Sequence, residues 1–474
     1  MTIKFEIHNV FTKAIYSRDS VLDNLLYEIL SYFEKGYKYS YLYKKRLWDG
    51  KSSAFSLKTK TFPTGLLDKV KEELEKRNYN IYIEDRRVKP ELDMKPAELK
   101  DTVLRDYQEK AVEASIEMER GILDMSVGSG KTEIAMAITK KLNTNTLFIV
   151  HLKSLLIQTV NRMKEKLGVE PAVFGGGKFE WGKITVASIQ SLHRNIDNPE
   201  VRKRLESINL VIVDEAHHIG DNTYKNVLSK CPAYYRFGLS GTPLDRSDGN
   251  NLYTLGMLGS VVYQVKPSDL IEKGFLVQPH VIMVPIRRQS TDIYYEDSSD
   301  WQKIYRSGIV DNEERNNRIV ECVDVLLNDL ERNSVLVMVR EIKHGETLKR
   351  MLEESLGHSV PFLWGQTSVE KLTKELKRFK GKETNCVISS VIFDEGIDIP
   401  NMDGIVMAGG GKSAIKVTQR VGRGIRTAKD KDKVIIFDFI DKQHPVLRFH
   451  SKKRLDIYMK ERKFRVSVVG KEDI

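Results

Sequence analysis

The chain has 474 residues, enough for roughly three domains of about 150 residues, each able to bury its own core. Charged residues make up 30% of it, no apolar run approaches the roughly 20 residues that span a bilayer, and no apolar leader follows Met1, so a soluble, intracellular protein without an export signal is expected. The net charge of +11 suggests a polyanionic partner, because clustered Lys and Arg bind phosphates by releasing counterions. Cys231, Cys322 and Cys386 are isolated, which excludes a disulfide framework or a CxxC metal pair and predicts buried structural thiols.

Residues 1–95 read as a small α/β accessory domain. Ile3, Phe5 and Ile7 alternate with Lys4, Glu6 and His8, the pattern of a half-buried strand. Ser20 is the expected N-cap of a helix that carries Leu22, Leu25, Leu26, Ile29, Leu30 and Phe33 on one face. A second helix through Leu66, Leu67, Val70 and Leu74 leads to a strand at 79–83. Between the helices, residues 35–58 hold seven basic residues and one acidic one, interleaved with Tyr37, Tyr39, Tyr41, Tyr43 and Trp48. Lys44, Lys45, Arg46 and Lys51 can neutralise phosphates while Trp48 and the tyrosines stack on bases or sugars. An amphipathic hairpin with core tyrosines and solvated lysines fits the same pattern, and both readings stay open.

Residues 85–100, with Pro90, Pro96 and dense charge, read as a linker. The apolar run Gly121-Ile122-Leu123 then enters the turn Asp124-Met125-Ser126-Val127-Gly128-Ser129-Gly130-Lys131-Thr132, and a helix follows. This is a phosphate cradle. The turn's N–H groups around Gly128, Ser129 and Gly130 face inward, Lys131 reaches the outer phosphates, and the Thr132 hydroxyl ligates magnesium. Met125 stands where the full pattern has glycine; a chance Gly-rich loop is the bland alternative. Apolar runs at 146–150, 184–187, 210–213 and 237–240 alternate with helical stretches, as in a parallel sheet covered by helices. Residues 96–273 therefore form the first large domain.

Residues 274–311, which hold the polar run 288–300, read as the inter-domain connection and should include the hinge. A second α/β domain, residues 312–449, has candidate strands at 335–339, 360–363, 386–389, 404–407 and 434–439 and no phosphate cradle of its own. Residues 450–474 read as a basic tail. Its helix at 452–465 has seven basic residues against Asp456 and Glu461, and a solvated surface helix is the expected form.

Asp214-Glu215-Ala216-His217 follows Leu210-Val211-Ile212-Val213, which puts both carboxylates at the carboxyl end of a buried strand, where open α/β sheets bind ligands. Asp214 is assigned to the magnesium and Glu215 to the water that attacks the γ-phosphate. For His217 a histidine simply satisfied at a domain surface is the alternative.

In this order the motifs resemble the superfamily 2 helicases, most closely the group of the phage protein UvsW and the XPB ATPase. The resemblance covers about residues 104–441 and implies two tandem RecA-like parallel-sheet domains that use ATP and Mg2+. Leu104-Arg105-Asp106-Tyr107-Gln108 resembles the motif that reads adenine, which implies Gln108 and Arg105 at the base. Leu239-Ser240-Gly241-Thr242-Pro243 is similar to the motif linking hydrolysis to domain movement, with Ser-Gly-Thr where many members have Ser-Ala-Thr. Ser389-Ser390 followed by Gly396-Ile397-Asp398-Ile399-Pro400 resembles the next, with Ser390 at the nucleic-acid phosphate position, where Thr is usual, and Asp398 at the nucleotide. Gln419-Arg420-Val421-Gly422-Arg423-Gly424-Ile425-Arg426 resembles the last, with Gln419 at the nucleotide. An arginine-rich helix start on a domain without a cradle also has a role of its own: Arg423 and Arg426 can spread transition-state charge as arginine fingers.

Residues 1–95 fit the duplex-DNA-binding domain of UvsW-like proteins, with Arg46-Leu47-Trp48-Asp49-Gly50-Lys51 as part of its aromatic stretch; DNA as substrate is implied mainly by that resemblance. The expected function is ATP-dependent remodelling of branched DNA. An RNA helicase, an ATP-gated clamp and a restriction translocase subunit are the rivals.

Overall fold

The structure, a computed structural model, describes residues 2–244, 251–287, 300–330, 332, 334–390, 402–413, 417, 420–422, 424–425, 431 and 433–470. The chain divides into two units, residues 1–125 with 130–265 and residues 126–129 with 266–474.

The alternation at the amino terminus forms the strand Thr2–Ile7, with Ile3 and Phe5 fully buried. It pairs antiparallel with Phe11–Ile15 and parallel with Asn80–Asp85, and Thr61–Pro63 completes the sheet. The helix Ser20–Ile29 buries Leu22 and Leu26, and its cap is Asp19 rather than Ser20. The Asp19 carboxylate accepts from the Val21 and Leu22 amides at 2.8 and 3.1 Å, satisfying donors the helix leaves open.

Eight strands make the large sheet of the first unit, in the order Lys178–Phe179, Ala172–Gly175, Ile184–Ser188, Thr146–Val150, Leu210–Asp214, Tyr235–Ser240, Arg120–Met125 and Val261–Val265. All neighbours are parallel except the first pair. Apolar runs such as Leu210-Val211-Ile212-Val213 are buried on both faces, as a helix-covered parallel sheet requires.

The amino-terminal domain is not a separable module, because it shares its core with the large sheet's helices. Leu252 on the helix Asn251–Leu258 packs in one cluster with Ile3, Phe5 and Phe62. Tyr253 donates its hydroxyl to the Ser53 carbonyl at 3.2 Å, and Asn9 donates to the Pro232 carbonyl at 2.7 Å. The closest approach is at Gly65, where a Cβ would stand 2.1 Å from the Leu255 carbonyl oxygen.

The second unit holds seven parallel strands in the order Phe362–Leu363, Cys386–Ser389, Val335–Met338, Gly404–Val406, Lys433–Asp441, Gln278–Ile286 and Arg465–Val468. Two segments differ from expectation. Gln278–Ile286, read as connection, is an inner strand with Val281, Met283 and Ile286 buried; Pro279 and Pro285 stand near its ends, where a missing N–H costs least. Most of the polar run, residues 288–299, lies outside the described residues. The basic tail is built into the domain as well. Helix Pro445–Met459 buries Arg454 and Tyr458, and the strand Arg465–Val468 pairs with Gln278–Ile286. Arg454 and Tyr458 are held by the Asp438 carboxylate, so this helix has one buried polar face and cannot be wholly solvated.

Gly65→Ala should cost the first unit about 1–3 kcal/mol, because backbone rather than a flexible side chain occupies the Cβ position. Scanning calorimetry should show the loss in one transition shared by residues 2–85 and the large sheet; independent melting of the two would contradict the shared core.

Candidate active site

The strand Arg120–Met125 delivers the turn at 126–130 to the carboxyl end of the sheet, and helix Lys131–Leu142 leaves from it. Gly128 and Gly130 have φ of 83° and 79°, a conformation that L side chains rarely adopt. No side chain caps the helix, so its first N–H groups are left for an anion. A Cβ on Gly130 would lie 2.2 Å from the Gln108 side-chain nitrogen, so that amide rests directly against the turn. Gln108 is itself held by its oxygen, which accepts from the Arg105 amide at 2.9 Å, while Arg105 donates to the Tyr107 hydroxyl at 3.0 Å. Among the described residues the buried Ser126 hydroxyl has no partner, a polar atom a phosphate could satisfy.

The strand Leu210–Asp214 ends at the same level. Lys131 Nζ lies 3.7 Å from Glu215 Oε1, and the Glu215 amide donates to Asp214 at 3.0 Å. Glu215 sits in the left-handed region with φ of 50°, a strained placement of the kind that clusters at functional sites. His217 is buried. Its Nδ1 lies 3.3 Å from Glu215 Oε2 and 3.1 Å from the Ser240 hydroxyl, which also accepts from the Thr242 amide at 3.2 Å. The sequence left His217 open; the structure makes it the bridge between the carboxylate turn and the Ser240-Gly241-Thr242 turn. His151 and His218 complete a stack with it, with ring centroids 4.5 and 4.3 Å apart along the series, a feature that sequence spacing did not reveal.

Lys131, Thr132, Asp214 and Glu215 thus gather at one sheet end, with Gln108 and Arg105 beside the turn. The set suits a magnesium nucleotide: N–H groups and a lysine for phosphates, a hydroxyl and a carboxylate for the metal, and a second carboxylate for water. Burial, followed by the charge of Glu215, pushes the Asp214 carboxyl above the ordinary carboxylate range.

In the amino-terminal domain, Lys38, Tyr43, Lys44, Arg46, Leu47, Trp48 and Asp49 line a cavity of 600 Å³. Phe33, Tyr37 and Tyr43 contact one another ring to ring, while Tyr39 and Tyr41 stay exposed. Lys45 stands 5.9 Å from the Tyr41 ring centroid. Lys51 differs from Lys44 and Lys45 in being ion-paired to Glu28, and Trp48 is tied by its ring nitrogen to the Lys51 carbonyl at 2.8 Å. In the second unit Ser390 is buried, and its amide donates to the Leu363 carbonyl at 3.0 Å. Asp398, Gln419, Arg423 and Arg426 lie outside the described residues.

The raised Asp214 pKa has a stability signature. Its folded-state pKa exceeds its unfolded value, so its contribution is complete at low pH and is lost as pH rises through the folded value. Asp214→Asn should therefore stabilise the metal-free protein near pH 8 by about 1–3 kcal/mol, with the gain fading towards pH 4. Urea melts of both proteins across pH check the sign.

Residues 101–245 match the family model described as type III restriction enzyme, res subunit, and residues 317–428 match that of the helicase conserved C-terminal domain. Putative helicase 22 of Sulfolobus islandicus filamentous virus is 26% identical over 366 residues, covering 72% of this chain and 65% of that protein. The DNA 3'-5' translocase XPB2 of Sulfurisphaera tokodaii is 25% identical over 367 residues, 71% of this chain and 82% of the relative. The crystal structure of T4 UvsW aligns over 99% of both chains at 18% identity and a TM-score of 0.48. The two family matches follow one another in helicase order and together take in more than half of the 474 residues. The chain belongs to the superfamily 2 helicases.

Proposed function

We propose that the chain is an ATP-dependent DNA helicase or translocase that remodels branched DNA, such as forks and four-way junctions. The observation that carries the ATP-driven part is the meeting of Lys131, Asp214 and Glu215 at one sheet end, with Gln108 against Gly130. Lys131 and the turn's N–H groups bind the phosphates, and Thr132 and Asp214 hold magnesium. Bound MgATP supplies the phosphoryl group and the metal's charge. Glu215, held by His217, orients the attacking water. Gln108 and Arg105 select the base; Asp398 and Gln419 contribute to the nucleotide from the second domain, and Arg423 and Arg426 stabilise transition-state charge. The link from Glu215 through His217 to Ser240 is the route by which the state of the phosphate reaches the rest of the fold.

The choice of DNA draws on the XPB2 relative, whose name is that of a DNA translocase, and on the likeness of the basic aromatic stretch to that of UvsW-like proteins. In this reading Lys44, Lys45, Arg46, Trp48 and Lys51 contact duplex DNA, and Ser390 contacts a strand. ATPase and strand displacement measured side by side on fork, four-way junction, duplex and RNA substrates test it. Stimulation by RNA alone would favour an RNA helicase; nucleotide-dependent binding without displacement would favour a clamp.

Lys131→Ala should lower ATP turnover by a factor on the order of 10² or more while leaving much of the DNA affinity. Glu215→Gln should keep nucleotide affinity within several-fold and lose about 10² to 10⁴ in kcat. Lost nucleotide binding in Glu215→Gln would exchange the roles of the two carboxylates. Arg423→Ala and Arg426→Ala should each lower kcat, by about 10³ or more for a true finger, at nearly constant KM.

Because the amino-terminal domain shares its core with the first sheet, truncation would unfold more than it tests, and surface charge is the better probe. Reversing Lys44, Lys45 and Arg46 should weaken duplex binding similarly across sequences and flatten its salt dependence by about 0.9 for each phosphate no longer neutralised, with basal ATPase spared. An unchanged slope in a salt titration would leave the stretch a structural hairpin.

A further inference from the structure

The second sheet carries a glycine-rich turn outside the helicase motifs: Val406-Met407-Ala408-Gly409-Gly410-Gly411-Lys412-Ser413. Its spacing repeats that of Met125 to Thr132, with a strand end followed at the same distance by glycine, lysine and a hydroxyl residue. The strand Gly404–Val406 lies inside its sheet between Val335–Met338 and Lys433–Asp441, so the turn leaves from the carboxyl end of an inner parallel strand.

The turn's carbonyl groups are held from within the domain. Arg315 Nη1 donates to the Ala408 carbonyl at 2.7 Å, the Tyr305 hydroxyl to that of Gly409 at 2.8 Å, and Arg454 Nη1 to that of Gly411 at 2.6 Å. Gly410 and Gly411 follow with φ of 56° and 100°. Among the described residues, the amides of Gly410, Gly411 and Lys412 donate to no group of the chain. A Cβ on Gly411 would meet nothing within 4 Å, so this backbone is open to an approaching group. Successive free N–H groups on a turn of this kind form an anion-binding concavity. The buried guanidinium of Arg315 keeps a second nitrogen, Nη2, without a partner among the described residues. Lys412 is exposed; it and Lys453 stand 6.0 and 5.6 Å from the Phe449 ring centroid, and exposed Arg340 lies 5.1 Å from that of Tyr305.

We propose that the turn at 409–413 binds a backbone phosphate of a nucleic-acid strand through its free amides and Lys412. The carboxylates decide against a magnesium nucleotide. Asp438 and Asp441, on the neighbouring strand, are taken by Arg454 and Arg315 at 2.9 and 2.8 Å, and the strand on the other side runs out into Arg340. The turn therefore recognises a phosphate that brings no metal, which describes a phosphodiester. The proposal rests on the helicase reading only for the identity of the polyanion.

The test uses the full chain without nucleotide, a fluorescent single-stranded oligonucleotide and a salt series, with Lys442→Glu as a control for an exposed lysine outside the turn. Lys412→Glu should weaken binding at least several-fold and lower the log-log salt slope by about 0.7 for each phosphate no longer neutralised, while Lys442→Glu does neither. Gly411→Ala, checked for an unchanged melting temperature, should weaken binding in the same direction, because its φ of 100° will not persist with a side chain and the amides will turn. A fluorescent ATP analogue should bind parent and Lys412→Glu equally. An unchanged slope in Lys412→Glu, an equal loss in Lys442→Glu, or a loss of nucleotide affinity with oligonucleotide binding intact would each overturn the assignment. Failure of the parent to bind any oligonucleotide would instead sink the helicase reading, and this site with it.

Discussion

A buried guanidinium keeps its charge, so every arginine inside this protein must be surrounded by oxygen, and the two units solve the problem differently. In the first, Arg120 and Arg236 are met by backbone carbonyls. Arg236 donates to Met257, Cys231 and Leu228, and Arg120 to Leu258, Met257 and Asn9. Several of these carbonyls close helices Asn222–Ser229 and Asn251–Leu258, where the helix dipole is negative. Burial still lowers the Arg120 pKa to about 9, with Arg236 nearby adding to the effect. The strands that feed the glycine turn at 126–130 and the Ser240 turn each begin at or next to one of these arginines, so their carboxyl ends hang from cation anchors at the opposite ends. In the second unit, Arg315 and Arg454 are neutralised by Asp441 and Asp438, and each gives its Nη1 to a carbonyl of the loop at 408–411.

The legible part of this fold was the part whose residues obey a local rule. Buried parallel strands are written as short β-branched runs, and Thr146–Val150 and Cys386–Ser389 have the bounds that composition gives them. The glycine turn at 126–130 and the place of the Asp214-Glu215 pair at a strand end were legible for the same reason, since a strand followed by a particular residue type is a local pattern. Gln278–Ile286 escaped because its two prolines and the polar run beyond it look like connection, and only pairing on both sides overrides that. The tail escaped because Arg454 counts as one more surface charge until Asp438 is placed beside it, and acids on another element leave no local trace. His217 and Ser240 stand far apart in sequence, and their contact is a product of strand order alone.

The amino-terminal domain alters how the first unit transmits change. Ser240, which receives the hydrogen bond network from Glu215, and helix Asn251–Leu258, which enters the amino-terminal core, belong to neighbouring stretches of one chain. The basic aromatic stretch is thereby mounted on the large sheet of the first unit rather than tethered to it. A tethered domain would only raise the local concentration of its surface, whereas a mounted one also fixes the direction in which that surface is presented.

The three cysteines offer a practical consequence. All are buried, and burial pushes the thiols of Cys322 and Cys386 up to about 12 and raises that of Cys231 as well, so almost no thiolate exists at neutral pH. A new cysteine placed on an exposed position of each unit would be the fast-reacting thiol of the molecule. Dye pairs could then be attached to the otherwise native sequence, and the distance between the units followed in single molecules through each round of nucleotide binding and release.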